Sequence, residues 1–307
     1  MKKLSTKDLI SINLLSIDEV NLIIEESDKM KKGPRNTDVL KGKTLAMIFE
    51  KSSTRTRVSF ETGMYQLGGL GMYFSSRDLQ IGRGETIHDT AKVLSRYVDG
   101  IMARTFSYQT ILDLAKYASV PVINGLTDYD HPCQVLADLF TIYEKKGNLK
   151  GLTLTYLGDG NNVLHSLIQG CVKVGMNIIY ASPGGYKPLD SVIEEAKLTA
   201  KETGSVITAA DNPVEAVKNT DVIYTDVWVS MGQEKEKDKR LKDLKKYRLN
   251  SELLSHSKKD VLVMHCLPAH RGEEITDEVI DGPSSIVFDE AENRLHTQKA
   301  IMKLLMA

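Results

Sequence analysis

The chain has 307 residues, enough for two domains, and its 41% hydrophobic and 26% charged residues are typical of an ordinary globular protein. Its net charge of −1 excludes a strong overall field, so no nucleic-acid or membrane partner is expected. The three cysteines, Cys133, Cys171 and Cys266, are scattered and form no CxxC pair. This pattern argues against a disulfide framework and predicts a reducing, cytoplasmic location.

The predicted secondary structure alternates between apolar strands and amphipathic helices. The first twenty residues are predicted to form a capped helix rather than a signal peptide, because acidic residues interrupt their short apolar stretches. Helical patterns are evident at residues 86–98 and 190–204. Strands that alternate with helices indicate parallel sheets covered on both faces. The predicted strands, in chain order, are residues 43–49, 71–76, 100–104, 120–126, 152–159, 177–183, 205–211, 221–228, 260–268 and 285–290.

This alternation predicts an α/β fold with two doubly wound parallel-sheet domains of similar size. The pattern breaks near the middle of the chain, where one helix ends at Gly147 and a new strand follows. We therefore predict a first domain over residues 1–134, joined by a C-terminal helix at about 290–307, a linking helix over 135–149 and a second domain over 150–288. Because open parallel sheets bind ligands at the carboxyl ends of their strands, we expect one active site in the cleft between the domains.

Hydroxyl and guanidinium groups crowd the SSTRTR turn (residues 52–57), where the first predicted strand gives way to a helix. A helix N-terminus presents unpaired backbone N–H groups and the positive end of the helix dipole. Arg55 and Arg57 add planar donors suited to phosphate oxygens, so the turn predicts a phosphate socket. It lacks the glycine frame and Gly-Lys pair of a Walker P-loop. The alternative is a plain helix cap with both arginines in solvent.

Two further turns carry polar groups at predicted helix starts. HPCQ (131–134) places His131 where the helix dipole favours a neutral imidazole, which can donate to a carbonyl oxygen or simply cap the helix. GDGNN (158–162) suggests a nucleotide loop, but the third glycine of the dinucleotide fingerprint is missing. Its two asparagines, Asn161 and Asn162, could instead hold a polar ligand or cap the helix.

Two motifs, DVWVSMG (226–232) and HCLP (265–268), end strands in the second half of the chain. Asp226 is a candidate partner for a substrate amine or, alternatively, a helix N-cap. Cys266 is either a reactive thiol or a small buried side chain. The charged run at 233–247 is predicted to be a solvated excursion or lid rather than core. No metal is expected, because the spacing of the following residues fits no usual zinc site: His131, Cys133, His265, Cys266 and His270.

In this order, and spread over nearly the whole chain, the motifs SSTRTR, HPCQ, GDGNN, DVWVSMG and HCLP resemble those of the ornithine carbamoyltransferase family. STRTR and HPxQ are shared with aspartate carbamoyltransferases, whereas SMG and HCLP favour ornithine. The resemblance implies transfer of the carbamoyl group of carbamoyl phosphate to the side-chain amine of L-ornithine, giving L-citrulline and phosphate for arginine biosynthesis. It also implies no metal or organic cofactor, and a homotrimer or a higher assembly of trimers.

The resemblance further implies a role for each matching residue. The implied catalytic residues are Arg104, His131, Asp226 and Cys266. The implied carbamoyl phosphate contacts are Ser53, Thr54, Arg55, Thr56, Gln80, Arg104, His131, Gln134, Cys266, Leu267 and Arg294, with Arg57 supporting the turn and Gln80 reaching into a neighbouring subunit. The implied ornithine contacts are Asn162, Asp226, Ser230 and Met231.

Other functions stay open at this point. The acceptor could be putrescine, an acetylated ornithine or aspartate, although aspartate would call for extra cationic groups where the chain offers Asp226. A nicotinamide-dependent dehydrogenase would account for GDGNN but leaves SSTRTR and HPCQ unused. A binding protein that retains the phosphate socket without catalysis is the third alternative.

Overall fold

The computed structural model describes residues 2–77, 79–80, 84–230 and 232–307. The chain divides into two compact units, the first made of Met1–Phe140 with Glu292–Ala307 and the second of Thr141–Ala291. Each unit is built on a parallel β-sheet with helices between its strands, which confirms the predicted class of two parallel-sheet α/β domains. Which substrate belongs to which unit, and the predicted domain limits, stay predictions.

The first unit carries a four-stranded sheet in the order β2-β1-β3-β4, in which all neighbouring strands are parallel. Leu9 extends its edge through a bridge to Ile123. The elements are α1 (Ile17–Lys32), β1 (Thr44–Phe49), α2 (Thr54–Gln66), β2 (Leu70–Ser75), α3 (Ile87–Leu94), β3 (Gly100–Arg104), α4 (Tyr108–Tyr117), β4 (Val122–Leu126), the start of α5 (Pro132–Lys146) and most of α12 (Val287–Met306).

The sequence of β1, TLAMIF, explains its place inside this sheet. Five of its six residues are buried, as expected for a strand covered on both faces. Its neighbours are β2 on one side and β3 on the other, so the strand order reverses between β1 and β3. Phe49 pairs in register with Arg104, which brings the carboxyl ends of both strands together. The SSTRTR turn and Arg104 therefore lie at the switch point where such sheets bind ligands.

The second unit repeats this plan with five parallel strands in the order β7-β6-β5-β8-β9. Its switch point lies between β5 and β8, so GDGNN and Asp226 follow the two strands that flank it. The elements are β5 (Thr153–Leu157), α6 (Asn162–Lys173), β6 (Asn177–Ala181), α7 (Asp190–Thr203), β7 (Ile207–Ala210), α8 (Pro213–Val217), β8 (Val222–Thr225), α9 (Lys237–Leu244), α10 (Ser251–Leu254), β9 (Leu262–Met264) and α11 (Asp277–Ile280).

The predicted helix over the first twenty residues is wrong in its bounds: α1 begins at Ile17, and a short 3₁₀ turn at Ile12–Leu14 precedes it. The start of α1 is capped. Ser16 accepts a hydrogen bond from the Glu19 backbone N–H, and the Glu19 carboxylate accepts from the Ser16 N–H, which completes a capping box. Within the described residues, no helix combines the length and the apolar character needed to cross a membrane.

One predicted strand is wrong: residues 285–290 form no strand, because Ser285 makes one isolated bridge to Val263 and Val287 begins α12. The charged run at 233–247 is helical, and most of its described side chains are exposed, as predicted, but it also contributes to the core. Its Leu244 and Tyr247 side chains lie in the hydrophobic core of the second unit, so the run is anchored by the same burial that holds the sheet.

Candidate active site

The SSTRTR turn begins helix α2 with a side-chain cap. Ser53 Oγ accepts the backbone N–H of Thr56 at 3.3 Å, and Thr54 is the first helical residue. Thr56 is buried, whereas Arg55 is half-buried. Arg57 instead points along the helix: its Nε donates to Glu61 Oε1 at 3.1 Å, and its guanidinium lies 3.8 Å from the centre of the Tyr73 ring. The turn therefore combines two features: Ser53 caps helix α2, and Arg55 places a positive charge at the N-terminus of that helix.

The positive charges of three arginines act on His131, and we call Arg55, Arg104 and Arg294 the arginine cluster. His131 is buried, and this burial lowers its pKa well below the usual range. The positive charges of Arg294, Arg104 and Arg55 lower the pKa further, in that order. The imidazole is therefore neutral at pH 7, as the sequence predicts, and the cluster offers concentrated positive charge beside a neutral donor.

A buried chain of hydrogen bonds joins helices α2, α5 and α12. Arg294 Nη2 donates to Thr56 Oγ1 at 3.3 Å, and Arg294 Nη1 donates to Gln134 Oε1 at 2.5 Å. Gln134 Nε2 donates in turn to Asp138 Oδ1 at 2.8 Å. The structure thus brings together Thr56, Gln134 and Arg294. The family resemblance implies that all three contact carbamoyl phosphate, although they come from separate parts of the sequence. Asp138 was not predicted.

The residues that flank His131 are also buried. Burial raises the pKa of the Cys133 thiol to about 12, so this thiol is protonated and inert. Burial also raises the pKa of Asp130 to about 7, although Ser11, Asn124 and Thr127 give it hydrogen bonds that act in the opposite direction. Asn124 Nδ2 bridges the Asp130 carboxyl (2.7 Å) and the Ile10 carbonyl (2.8 Å), which ties the HPCQ turn to the N-terminal segment.

Replacing Asp130 with asparagine is expected to stabilise the protein most at high pH. Because the pKa of Asp130 is raised in the folded state, the folded protein keeps this carboxyl proton between about pH 4 and 7, whereas the unfolded chain loses it. The free energy of unfolding of the wild type therefore falls as the pH rises through this window. Asp130→Asn removes this loss, and the gain in unfolding free energy above pH 7 is about 2–4 kcal/mol. Thermal unfolding at pH 5 and pH 8 measures it. Asp38→Asn, at an exposed position of the same unit, should follow the wild-type curve; an equal gain for Asp130→Asn at both pH values would contradict the raised pKa.

In the second unit, Asp226 collects donors from two other loops. Its Oδ2 accepts from Asn161 Nδ2 at 2.6 Å, and its Oδ1 accepts from Cys266 Sγ at 3.0 Å and from the Val227 N–H at 2.8 Å. Asp226 is buried, whereas Cys266 is partly exposed. We call Asp226, Asn161 and Cys266 the Asp226 cluster. Asp226 caps no helix here, so the N-cap alternative fails and the carboxylate is held ready for a cationic group.

The glycines of GDGNN serve packing rather than nucleotide binding. A Cβ on Gly160 would lie 2.3 Å from the backbone nitrogen of Pro188, and Gly158, at φ +127°, lies against the Trp228 indole. The space that a dinucleotide fingerprint reserves for pyrophosphate is thus filled by the protein's own chain. Asn161 Oδ1 accepts the N–H groups of Val163 and Leu164 and so caps α6. This geometry disfavours the dehydrogenase alternative.

The HCLP segment is fixed by a buried histidine. His265 Nδ1 accepts the Leu267 N–H at 2.9 Å, and the other ring nitrogen, Nε2, lies 2.9 Å from Glu274 Oε1. The accepting role of Nδ1 places the ring proton on Nε2, which donates to Glu274. Leu267 adopts a left-handed backbone conformation with φ +55°. Because both nitrogens of His265 are engaged, the pair holds the Cys266–Leu267 backbone rather than presenting a metal ligand.

Arg240, which lies within the charged run at 233–247, is a structural residue that the sequence motifs did not predict. It is buried, and its Nη1 donates to Asp159 Oδ2 (2.8 Å) and to the Trp228 carbonyl (3.1 Å), while its Nε donates to Glu236 (2.9 Å). The buried guanidinium thereby ties α9 to GDGNN and to DVWVSMG. The available signal was a single arginine among the lysines of this run, because arginine suits buried, multiply bonded ion pairs better than lysine does.

The other predicted site residues are placed as follows. Asn162 is the first residue of α6, and the Ser230 N–H donates to Gln233 Oε1 at 3.1 Å. Gln80 is exposed, and its carbonyl accepts the Glu85 N–H at 3.1 Å. Met231 and residues 81–83 of the predicted inter-subunit loop lie outside the described residues.

Comparison with known proteins agrees with this geometry. Residues 7–144 match the carbamoyl-P binding domain of aspartate/ornithine carbamoyltransferase, and residues 150–305 match its Asp/Orn binding domain. The ornithine carbamoyltransferase of Bacillus subtilis is 57% identical over 300 residues, covering 98% of this chain and 94% of the relative. The anabolic ornithine carbamoyltransferase of Pyrococcus furiosus is 53% identical over 306 residues, covering 99% and 97%.

A solved structure of ornithine carbamoyltransferase from Pyrococcus furiosus superposes with a TM-score of 0.96 at 52% identity, and the match covers 100% of this chain and 99% of the other. The two family matches name carbamoyl phosphate and aspartate or ornithine as ligands, and both full-length relatives are named for ornithine, which agrees with the positive charge of the arginine cluster and the negative charge of the Asp226 cluster. The chain therefore belongs to the aspartate/ornithine carbamoyltransferase family.

Proposed function

We propose that the protein is an ornithine carbamoyltransferase, which transfers the carbamoyl group of carbamoyl phosphate to the δ-amine of L-ornithine and gives L-citrulline and phosphate. The observation that carries the proposal is the arginine cluster around a neutral His131 at the N-terminus of α5. A phosphate dianion with a polar carbonyl group attached matches this set of charges and donors. Relatives at 53–57% identity carry this activity in their names.

In the proposed reaction the neutral δ-amine attacks the carbonyl carbon of carbamoyl phosphate. A C–N bond forms, the carbonyl oxygen takes up negative charge, and the C–O bond to phosphate then breaks; the amine proton leaves with phosphate or solvent. Thr56, Arg104 and His131 donate to the developing oxyanion, which lowers the barrier where the charge appears. The neutral imidazole of His131 still carries one N–H group, which can donate to that oxygen.

The N-terminus of α2 and the arginine cluster are proposed to bind the phosphate group. The proposed contacts are Ser53, Thr54, Arg55 and Thr56 from the SSTRTR turn, with Arg104 and Arg294 from neighbouring elements. Gln134 grips the carbamoyl amino group. Gln80 of a neighbouring subunit, with Cys266 and Leu267, completes the proposed set.

Ornithine binding is proposed for the second unit, with contacts from Asn162, Asp226, Ser230 and Met231. The Asp226 carboxylate, oriented by Asn161 and Cys266, is suited to an amino group and unsuited to the side chain of aspartate. The δ-amine of ornithine resembles that of lysine, with a free pKa of about 10.4, so the site must favour its deprotonated form. Asp226 and Cys266 are proposed to orient that form. The domain limits proposed from the sequence follow this division.

A direct assay tests the proposal: the protein is incubated with carbamoyl phosphate and L-ornithine, and citrulline is measured by its ureido colour reaction. We expect citrulline and phosphate in equal amounts without added metal. Parallel reactions with putrescine, aspartate and acetylated ornithine should give little product. Turnover of one of these in place of ornithine, or none with any acceptor, would overturn the assignment.

We further propose a cytoplasmic role in arginine biosynthesis and a homotrimeric assembly. The anabolic name of the Pyrococcus furiosus relative supports the pathway, and the free thiols of Cys133, Cys171 and Cys266 suit a reducing compartment. An assembly is supported by apolar side chains exposed on and near the edge strand β2: Val58, Leu70 and Met72. Light scattering during gel filtration measures the subunit number, and a monomer with full activity would contradict a shared site.

A further inference from the structure

The amide of Gln134 is held between two groups of opposite charge. Its Nε2 donates to Asp138 Oδ1 at 2.8 Å, and its Oε1 accepts from Arg294 Nη1 at 2.5 Å. Gln134 is 1% exposed, Asp138 0% and Arg294 2%, so water does not compete for these bonds.

Only one orientation of this amide satisfies both neighbours. A carboxylate accepts hydrogen bonds and cannot donate, whereas a guanidinium donates and cannot accept. Rotating the Gln134 amide by 180° would set its oxygen against Asp138 and its NH₂ group against Arg294, so two favourable bonds would become two repulsive contacts. The orientation is therefore fixed by the chemistry of the two partners.

The locked orientation turns the amide oxygen toward the SSTRTR turn. Arg294, which contacts that oxygen, also donates to Thr56 Oγ1 at 3.3 Å. Asp138 lies one helical turn further along α5, away from the helix start at which His131 stands. The acceptor edge of Gln134 thus faces the arginine cluster, and its donor edge faces away.

We propose that Asp138 is a positioning residue that makes the site selective for carbamoyl phosphate over acetyl phosphate. The inference rests on the proposed function, in which Gln134 contacts the carbamoyl amino group. That amino group only donates, so it needs the oxygen edge that Asp138 turns toward it. Acetyl phosphate has a methyl group in the same place and gains nothing from the oxygen. Without Asp138, Arg294 still holds the amide orientation, but the turned form costs one of these repulsive contacts instead of two, and the selectivity falls.

The test compares Asp138→Asn and Asp138→Leu with the wild type. Affinities for carbamoyl phosphate, acetyl phosphate and inorganic phosphate are measured by calorimetry or by inhibition. We expect carbamoyl phosphate to bind about 10- to 50-fold more weakly to Asp138→Leu, and less so to Asp138→Asn, whose amide oxygen still accepts. Acetyl phosphate and inorganic phosphate should change by less than about twofold, since neither uses the oxygen edge.

A matched control lies on helix α4 of the same unit. There Gln109 Nε2 donates to Asp113 Oδ1 at 3.0 Å, again four residues apart, but at the protein surface. Asp113→Asn and Asp113→Leu should leave all three affinities unchanged. Thermal unfolding of each variant establishes that it is folded, and the milder Asp138→Asn variant keeps the test available if Asp138→Leu does not fold.

The outcomes separate the two proposals. Equal weakening of all three ligands in the Asp138 variants would mean that Asp138 only balances the charge of Arg294, and would overturn the inference. Unchanged affinity for carbamoyl phosphate would overturn it as well. A wild-type protein that neither forms citrulline nor prefers carbamoyl phosphate to acetyl phosphate would instead overturn the proposed function, and the inference with it.

Discussion

Arg55→Ala is expected to lower kcat/KM for carbamoyl phosphate by about 10²- to 10³-fold, the loss found when one donor to a developing charge is removed. Arg55 follows the capped start of α2, and its charge acts on the buried His131. Its guanidinium therefore contributes to the same field that would hold the phosphate. Steady-state kinetics with carbamoyl phosphate varied at saturating ornithine measures the effect, together with the affinity for inorganic phosphate.

Arg57→Ala is the matched control, two residues along the same helix. Arg57 is engaged by Glu61 and stacked on Tyr73, so its loss should cost less than about fivefold in kcat/KM. Both variants should unfold within about 0.5 kcal/mol of the wild type, because neither guanidinium is fully buried. Normal phosphate affinity in Arg55→Ala, or equal losses in the two variants, would mean that the SSTRTR turn is a helix cap and not an anion site.

The placement of the candidate site could be predicted because it follows from strand patterns. Strands buried on both faces read as continuous apolar runs, as in β1, and their carboxyl ends gather at one edge of a parallel sheet. Arg104 and the SSTRTR turn are distant in sequence, yet the Phe49–Arg104 register sets them side by side. The motifs and the sheet topology thus predict the same location for the site, at the carboxyl ends of β1 and β3, without knowledge of side-chain contacts.

The absent strand at 285–290 and the buried side chains of the charged run have a common physical cause, since a local pattern does not reveal what an element packs against. Residues 285–290 are apolar enough for a strand, but Val287 opens a twenty-residue helix. The run at 233–247 is highly charged, but a helix can bury one face, here Leu244 and Tyr247, beneath many lysines. Short apolar runs and amphipathic helices are ambiguous in this way until their tertiary neighbours are known.

The supporting residues of the site were the least predictable part. Asp138 acts on Gln134 from one helical turn away, and Glu274 contacts His265 from nine positions further along the chain. Such groups contact other side chains and not a ligand, so no motif singles them out. Both are buried acidic residues: Asp138 contacts a candidate site residue, and Glu274 contacts the histidine that precedes Cys266.

Asp226→Asn is expected to lower kcat/KM for ornithine by about 10³-fold while the KM for carbamoyl phosphate changes by less than about threefold. The substitution removes the charge proposed to meet the amine. It also disrupts the Asp226 cluster, because both carboxylate oxygens accept from donors. An asparagine NH₂ group would face either the Asn161 amide or the Val227 N–H, donor against donor.

The control for this variant is Asp281→Asn, the same change at an exposed aspartate of the second unit that is paired with Arg271. It should retain wild-type kinetics, because surface ion pairs contribute little and the side-chain partner of Asp281 is Arg271, which is not a candidate site residue. If Asp226→Asn weakened carbamoyl phosphate and ornithine alike, the carboxylate would be holding the fold of the second unit. A loss confined to ornithine would place the Asp226 cluster in the ornithine half of the proposed site, independently of the arginine cluster.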